Sequence, residues 1–133
     1  MSAVYIDTSA AVKLIVAEAE SRALREWLDQ VGGSLLSSAL LAAELLRATT
    51  PHGTDAVVAA RRVVNRLNLG DVDRATLEMA GHLNPPAMRT LDAIHLATAL
   101  RHGHLITAFV TYDTRLRDAC RNHGLQVVSP GAA

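Results

Sequence analysis

Short β-prone runs alternate with amphipathic helical segments along these 133 residues, and this alternation predicts a parallel α/β sandwich. Half the residues are hydrophobic and 20% are charged, a balance that supports one buried core. No internal repeat and no long Pro/Gly/Ser-rich linker divides the chain, so residues 1–133 are expected to form a single domain.

Val4-Tyr5-Ile6 is β-prone and stops at Asp7-Thr8-Ser9, residues suited to a helix cap. A helical pattern follows, with Ala10, Ala11, Leu14 and Ile15 on one face. Ser21 to Gln30 predicts a second helix, with Leu24, Trp27, Leu28 and Val31 at spacings of three and four, and Gly32-Gly33 stops it. Ser34 to Ser37 is a short strand. Ser37 or Ser38 then caps a helix over Ala39–Thr49 that Pro51 and Gly53 end. Thr54 to Asn65 is helical with a wet, Arg-rich face, and Leu67-Asn68-Leu69 is a small strand before Gly70. A helix from Asp71 or Val72 reaches about Leu83. The paired prolines make residues 84–90 a loop. Leu91–Arg101 is helical, Ile106–Val110 a strand, Thr114–Asn122 a helix closed by Gly124, and Leu125–Val128 the last strand.

Composition excludes several classes. Cys120 is the single cysteine, so no intrachain disulfide framework exists. Charges interrupt every apolar stretch well short of a membrane span, and the start Met1-Ser2-Ala3-Val4 has no basic leader before Asp7. The expected compartment is the cytoplasm, with no membrane partner. The glycine fingerprints of dinucleotide and P-loop sites are absent.

Four carboxylates interrupt apolar surroundings. Asp7 ends the first strand and Asp113 lies just beyond Ile106–Val110, so in a parallel sheet both reach one edge, where the ligand site of such a fold is expected. Asp92 starts the helix that precedes the latter strand. Glu44 sits in Leu40-Leu41-Ala42-Ala43-Glu44-Leu45-Leu46, where an unpaired buried carboxylate would be expensive. Each has a plainer local role: Asp7 and Asp113 as helix caps, Asp92 as a favourable first-turn acid, Glu44 paired with Arg47. No one of these roles accounts for all four. Converging carboxylates repel one another unless a cation lies between them, and an all-oxygen donor set suits Mg²⁺ or Mn²⁺. The chemistry that follows is metal-assisted phosphoryl hydrolysis, through one ion or two.

Asp7-Thr8-Ser9, Ala43-Glu44-Leu45, Leu91-Asp92-Ala93-Ile94-His95-Leu96-Ala97-Thr98-Ala99 and Thr111-Tyr112-Asp113 resemble, in order and spacing, the PIN-domain pattern. Over nearly its whole length the chain is similar to VapC-type toxin ribonucleases of type II VapBC toxin–antitoxin pairs. The resemblance implies a PIN-like, Rossmann-like three-layer sandwich with a short-stranded, mainly parallel sheet. It also implies a Mg²⁺-dependent endoribonuclease, usually homodimeric, acting on an RNA substrate and silenced by a cognate VapB-like antitoxin through which DNA is bound indirectly. By matched position, Asp7 and Asp92 are implied as core metal ligands, and Glu44 and Asp113 complete the catalytic acidic pocket. Thr111 is the polar residue beside the last Asp, and Thr8 and Ser9 are placed to bond substrate or carboxylates.

Among the remaining residues, Arg89 is the candidate phosphate contact and Tyr112 can stack one base. His95 is read as a structural histidine. The early apolar helices, Ala10–Val16 and Ser21–Val31, are candidates for a seam between copies. Two rivals stand beside the nuclease reading. A phosphatase or phosphotransfer domain would want Asp-x-Asp after the first strand or a Lys after a late one, and the sole Lys is Lys13. A non-catalytic RNA- or protein-binding module would not need four carboxylates. The 13 basic residues, twelve of them Arg, balance 13 acidic ones; setting the four pocket acids aside leaves nine against 13, a mildly basic remainder compatible with RNA.

Overall fold

The computed structural model describes residues 2–132. Five strands, β1 (Ala3–Ile6), β2 (Ser34–Ser38), β3 (Asn68–Gly70), β4 (Ile106–Val110) and β5 (Val127–Val128), form one sheet in the order β3-β2-β1-β4-β5. Every pairing is parallel. Seven helices surround it: α1 (Thr8–Lys13), α2 (Ser21–Val31), α3 (Leu40–Thr49), α4 (Thr54–Arg66), α5 (Arg74–His82), α6 (Thr90–Arg101) and α7 (Thr114–Asn122). The expected parallel α/β sandwich is the observed one.

All four residues of β1 are buried, which is why this strand is central: only a strand covered on both faces tolerates an unbroken apolar run. Its side chains alternate. Val4 and Ile6 enter a core with Leu24, Leu41, Leu45 and Val110; Tyr5 enters the opposite one with Leu96, Phe109 and Leu116. The Tyr5 and Phe109 rings stack with centroids 4.7 Å apart. Helices α1 and α2 pack into the first core through Ala10, Ala11, Leu24, Trp27 and Leu28, and Val31 at the end of α2 stays exposed.

Strand order runs outward from β1 in one direction through β2 and β3, and in the other through β4 and β5. The sheet therefore reverses between β1 and β4, and their C-terminal ends form the crevice where open α/β sheets bind ligands. Helix α6 is buried from Ala93 through Ala99. Its close seating shows at Gly70, where a Cβ would stand 2.8 Å from Thr98 Cγ2 and 3.1 Å from His102 Cε1.

Several boundaries differ from expectation. Thr50–His52 forms a 3₁₀ turn where only a helix end was anticipated. The helix expected from Asp71 or Val72 starts at Arg74 because Asp73 caps it, accepting from Thr76 N at 2.9 Å. β3 shifts by one residue, fixed by the pairing of Leu36 with Asn68 and Ser38 with Gly70. No helix among the described residues is long and apolar enough to cross a membrane.

Candidate active site

Asp7 follows β1 with an extended backbone and caps α1. Its Oδ1 accepts from Ala10 N at 3.0 Å and from Ser9 Oγ at 2.7 Å; its Oδ2 accepts from Thr111 Oγ1 at 2.5 Å. The residue is 3% exposed. Burial raises its pKa above the ordinary carboxylate value, and the bonds from Thr111, Ser9 and Ala10 only partly offset this.

Thr111 and Ser9 stitch the two strand ends together. Thr111 Oγ1 accepts from Asp113 N at 3.1 Å, and Ser9 Oγ accepts from Tyr112 N at 3.0 Å. Asp113 then caps α7, its Oδ1 accepting from Arg115 N at 2.9 Å and Leu116 N at 3.1 Å. Its other oxygen, Oδ2, receives Nη2 of Arg89 at 2.9 Å, while Nε of the same guanidinium donates to Asp92 Oδ2 at 3.0 Å. Arg89 thus bridges two acids that lie 21 positions apart in the chain.

Glu44 projects from α3 and is half-buried. Its Oε1 accepts from Thr8 Oγ1 at 2.6 Å and from His95 Nε2 at 2.7 Å. Burial opposes its ionisation, yet the bonds from His95 and Thr8 outweigh burial and hold its pKa below the ordinary value. The four acids are thereby joined through shared partners: Asp7 to Asp113 by Thr111, Asp113 to Asp92 by Arg89, and Glu44 to the Asp7 turn by Thr8. Both oxygens of Asp7 and both of Asp113 accept hydrogen bonds, whereas Asp92 Oδ1 and Glu44 Oε2 accept none from a described residue. Among the described residues, no three Asp, Glu, His or Cys side chains close into a metal cage.

A sequence profile described as PIN domain matches residues 4–122 of the chain. The chain belongs to the PIN-domain family. It is closely related to VapC-type ribonuclease toxins: Ribonuclease VapC46 of Mycobacterium tuberculosis is 48% identical over 130 residues, covering 98% of this chain and 99% of the relative. The crystal structure of M. tuberculosis VapC20, described as a sarcin–ricin loop cleaving toxin, has a TM-score of 0.77 at 19% identity, covering 96% of this chain and 99% of that one. VapBC2 from Rickettsia felis, bound to a DNA fragment from its promoter, has a TM-score of 0.69 at 13% identity, covering 96% and 98%.

Within this PIN domain, Arg89, Glu44 and Tyr112 have partners that their local sequence does not announce. Arg89, the candidate phosphate contact, grips Asp92 and Asp113. Glu44 pairs with His95 and Thr8, far along the chain, and among the described residues forms no ion pair with Arg47. Tyr112, the candidate stacking residue, donates from its hydroxyl to Pro130 O at 2.8 Å, and Lys13 Nζ lies 4.6 Å from its ring centroid. Burial, then Glu20 and Asp7, push that hydroxyl up to about 12, so it stays a donor. His95 went unassigned to the site in the sequence. A signal was present: a polar residue one helical turn from Asp92, inside an otherwise apolar buried run, must find a partner.

Proposed function

We propose that this protein is a Mg²⁺-dependent endoribonuclease, with Mn²⁺ an effective substitute, and the toxin of a type II toxin–antitoxin pair. The observation that carries this reading is the set of four carboxylates drawn to one sheet edge with a single guanidinium among them. Their donor set is all oxygen, which fits a hard divalent cation, and Arg89 between Asp92 and Asp113 marks the pocket's demand for positive charge. Asp7 and Asp92 would hold the ion, with Glu44 and Asp113 completing the pocket. When bound, the cation supplies Lewis acidity, lowering the pKa of water and neutralising charge on a phosphodiester.

The protein's own groups account for the rest. Ser9, Thr111 and Ala10 N hold Asp7 from three directions, so its carboxylate is set before any ligand arrives. Thr8 and His95 do the same for Glu44. Asp113 is fixed by the first turn of α7. Arg89, 68% exposed at its side chain, sits at the mouth, where its fork matches a phosphate of incoming RNA. Residues 1–133 act as one domain, as a homodimer in the cytoplasm, and a VapB-like antitoxin occludes the acids and carries any DNA contact. Support for the partner comes from family kinship and from the relatives named above.

Purified protein with Mg²⁺ is expected to cleave RNA, and Asp7→Asn or Asp92→Asn to abolish cleavage while the circular-dichroism spectrum is kept. Unchanged cleavage in both variants would falsify the metal-site assignment.

A further inference from the structure

We infer that His95 is a positioning residue for this reaction: it fixes Glu44 so that Oε1 faces the scaffold and Oε2 faces the ligand. The inference rests on the cation-dependent reading proposed above.

His95 is 2% exposed and lies on α6, three residues after Asp92. Both ring nitrogens are engaged. Nδ1 is 2.7 Å from the Tyr5 hydroxyl, and Nε2 is 2.7 Å from Glu44 Oε1, with Thr8 Oγ1 a further 3.4 Å neighbour. The imidazole meets the Tyr5 ring edge-on at 5.9 Å, and Tyr5 is itself stacked on Phe109. A half-turn of the imidazole would break both hydrogen bonds, so the ring is locked.

The direction of the bond to Glu44 follows from chemistry alone. An ionised carboxylate only accepts, so Nε2 must carry the hydrogen, whatever the state of Nδ1. Thr8 donates to the same oxygen. With two donors on Oε1 and none from the described residues on Oε2, a flexible glutamate is reduced to one presentation. The line Tyr5–His95–Glu44 crosses from the central strand through α6 to α3, spanning separations of 90 and 51 residues. Core packing alone does not call for this. An apolar side chain would fill the same volume, and Glu44, being partly exposed, could take its hydrogen bonds from water.

The test is calorimetric titration with Mn²⁺, alongside kcat and KM on RNA, for wild type, His95→Leu, His95→Gln, Tyr5→Phe, Glu44→Gln, the His95→Leu/Glu44→Gln double variant and Asp7→Asn. The expected result is weaker Mn²⁺ binding by His95→Leu, by about 10- to 100-fold, the range for partners that orient a metal ligand. His95→Gln, which retains a donor for Oε1, recovers most of the loss. Tyr5→Phe, which preserves the core volume, lies between wild type and His95→Leu. The double variant binds no more weakly than Glu44→Gln alone. Wild-type binding in His95→Leu, equal losses in His95→Leu and His95→Gln, or additive losses in the double variant would each overturn the inference. If His95→Leu does not fold, the comparison of Tyr5→Phe and His95→Gln with wild type decides: unweakened binding in Tyr5→Phe, or a larger loss in His95→Gln, overturns it. Asp7→Asn separates the two levels. If it binds Mn²⁺ like wild type, the acidic pocket is not the cation site and both readings fall; if it is silent while His95→Leu binds normally, only the role of His95 falls.

Discussion

Asp7→Asn should raise the thermal stability of the cation-free protein while removing its response to Mg²⁺. Asp7 is buried without a cationic side chain bonded to it, and burial raises its pKa despite three hydrogen bonds. Every unit of such a rise is about 1.4 kcal/mol lost from the folded state above that pKa. At about 2.1 cal/mol/K per residue, 133 residues give an unfolding entropy near 280 cal/mol/K, so each unit corresponds to about 5 °C in Tm. Asparagine can keep the local bonds. Its Oδ1 accepts from Ala10 N and Ser9, and its Nδ2 donates to Thr111 Oγ1, whose own proton can turn toward Ser9 Oγ at 3.5 Å. The pH dependence has a definite sign. Because the folded pKa is raised, the folded state binds the extra proton, and wild-type stability falls as pH rises from the unfolded value, about 3.9, through the folded one. The Tm advantage of Asp7→Asn should thus be small in acid, grow through that window and level off above it. Melts in EDTA across pH measure this directly. An Asn variant less stable than wild type at neutral pH, or a difference independent of pH, refutes the reasoning. With Mg²⁺ at 100 times its Kd, wild type should gain about 2.7 kcal/mol, roughly 10 °C on the same entropy, and Asp7→Asn nothing.

Arg89→Gln removes a cation that competes for Asp92 and Asp113, so calorimetry should find tighter Mn²⁺ binding, with the largest gain at low ionic strength. Unchanged affinity at both high and low salt would show that Arg89 is no counter-cation to the pocket. Gly70→Ala forces a methyl against Thr98 Cγ2 at 2.8 Å, and urea unfolding should show a loss of about 1–3 kcal/mol at unchanged m-value. A midpoint equal to wild type would mean that α6 yields at this contact.

The sequence was most readable where local chemistry alone decides structure. β4 and α7 have the expected bounds because the β-prone run Ile106–Val110 is followed closely by Asp113, a good capping residue. Local roles and site roles were harder to separate, since Asp7 and Asp113 fit a helix cap as well as a ligand. In the structure both cap their helices, and Asp113 does so with Oδ1 while Oδ2 receives Arg89. Glu44 shows the opposite limit. Its nearest candidate partner in sequence was Arg47, one turn away, but the partners it has are set by how α3, α6 and the Asp7 turn meet across the sheet. Periodicity places a residue on a helix face; it does not say which distant side chain faces it. The same limit moved β3 by one residue, because register is decided by the neighbouring strand.

The placement of β1 between β2 and β4 also bears on when the pocket comes into being during synthesis. Asp7 is made before every other acid of the pocket, yet Thr111, which holds its second oxygen, follows 104 residues later. Arg89 and Asp92 cannot meet Asp113 before then either. A nascent chain that ends before β4 has no neighbour for one flank of its central strand and no assembled acidic edge. Pairings this distant in sequence also form slowly, because a long loop must close first. On the proposed activity, a chain that has not yet reached Asp113 has no assembled acidic site with which to act on RNA.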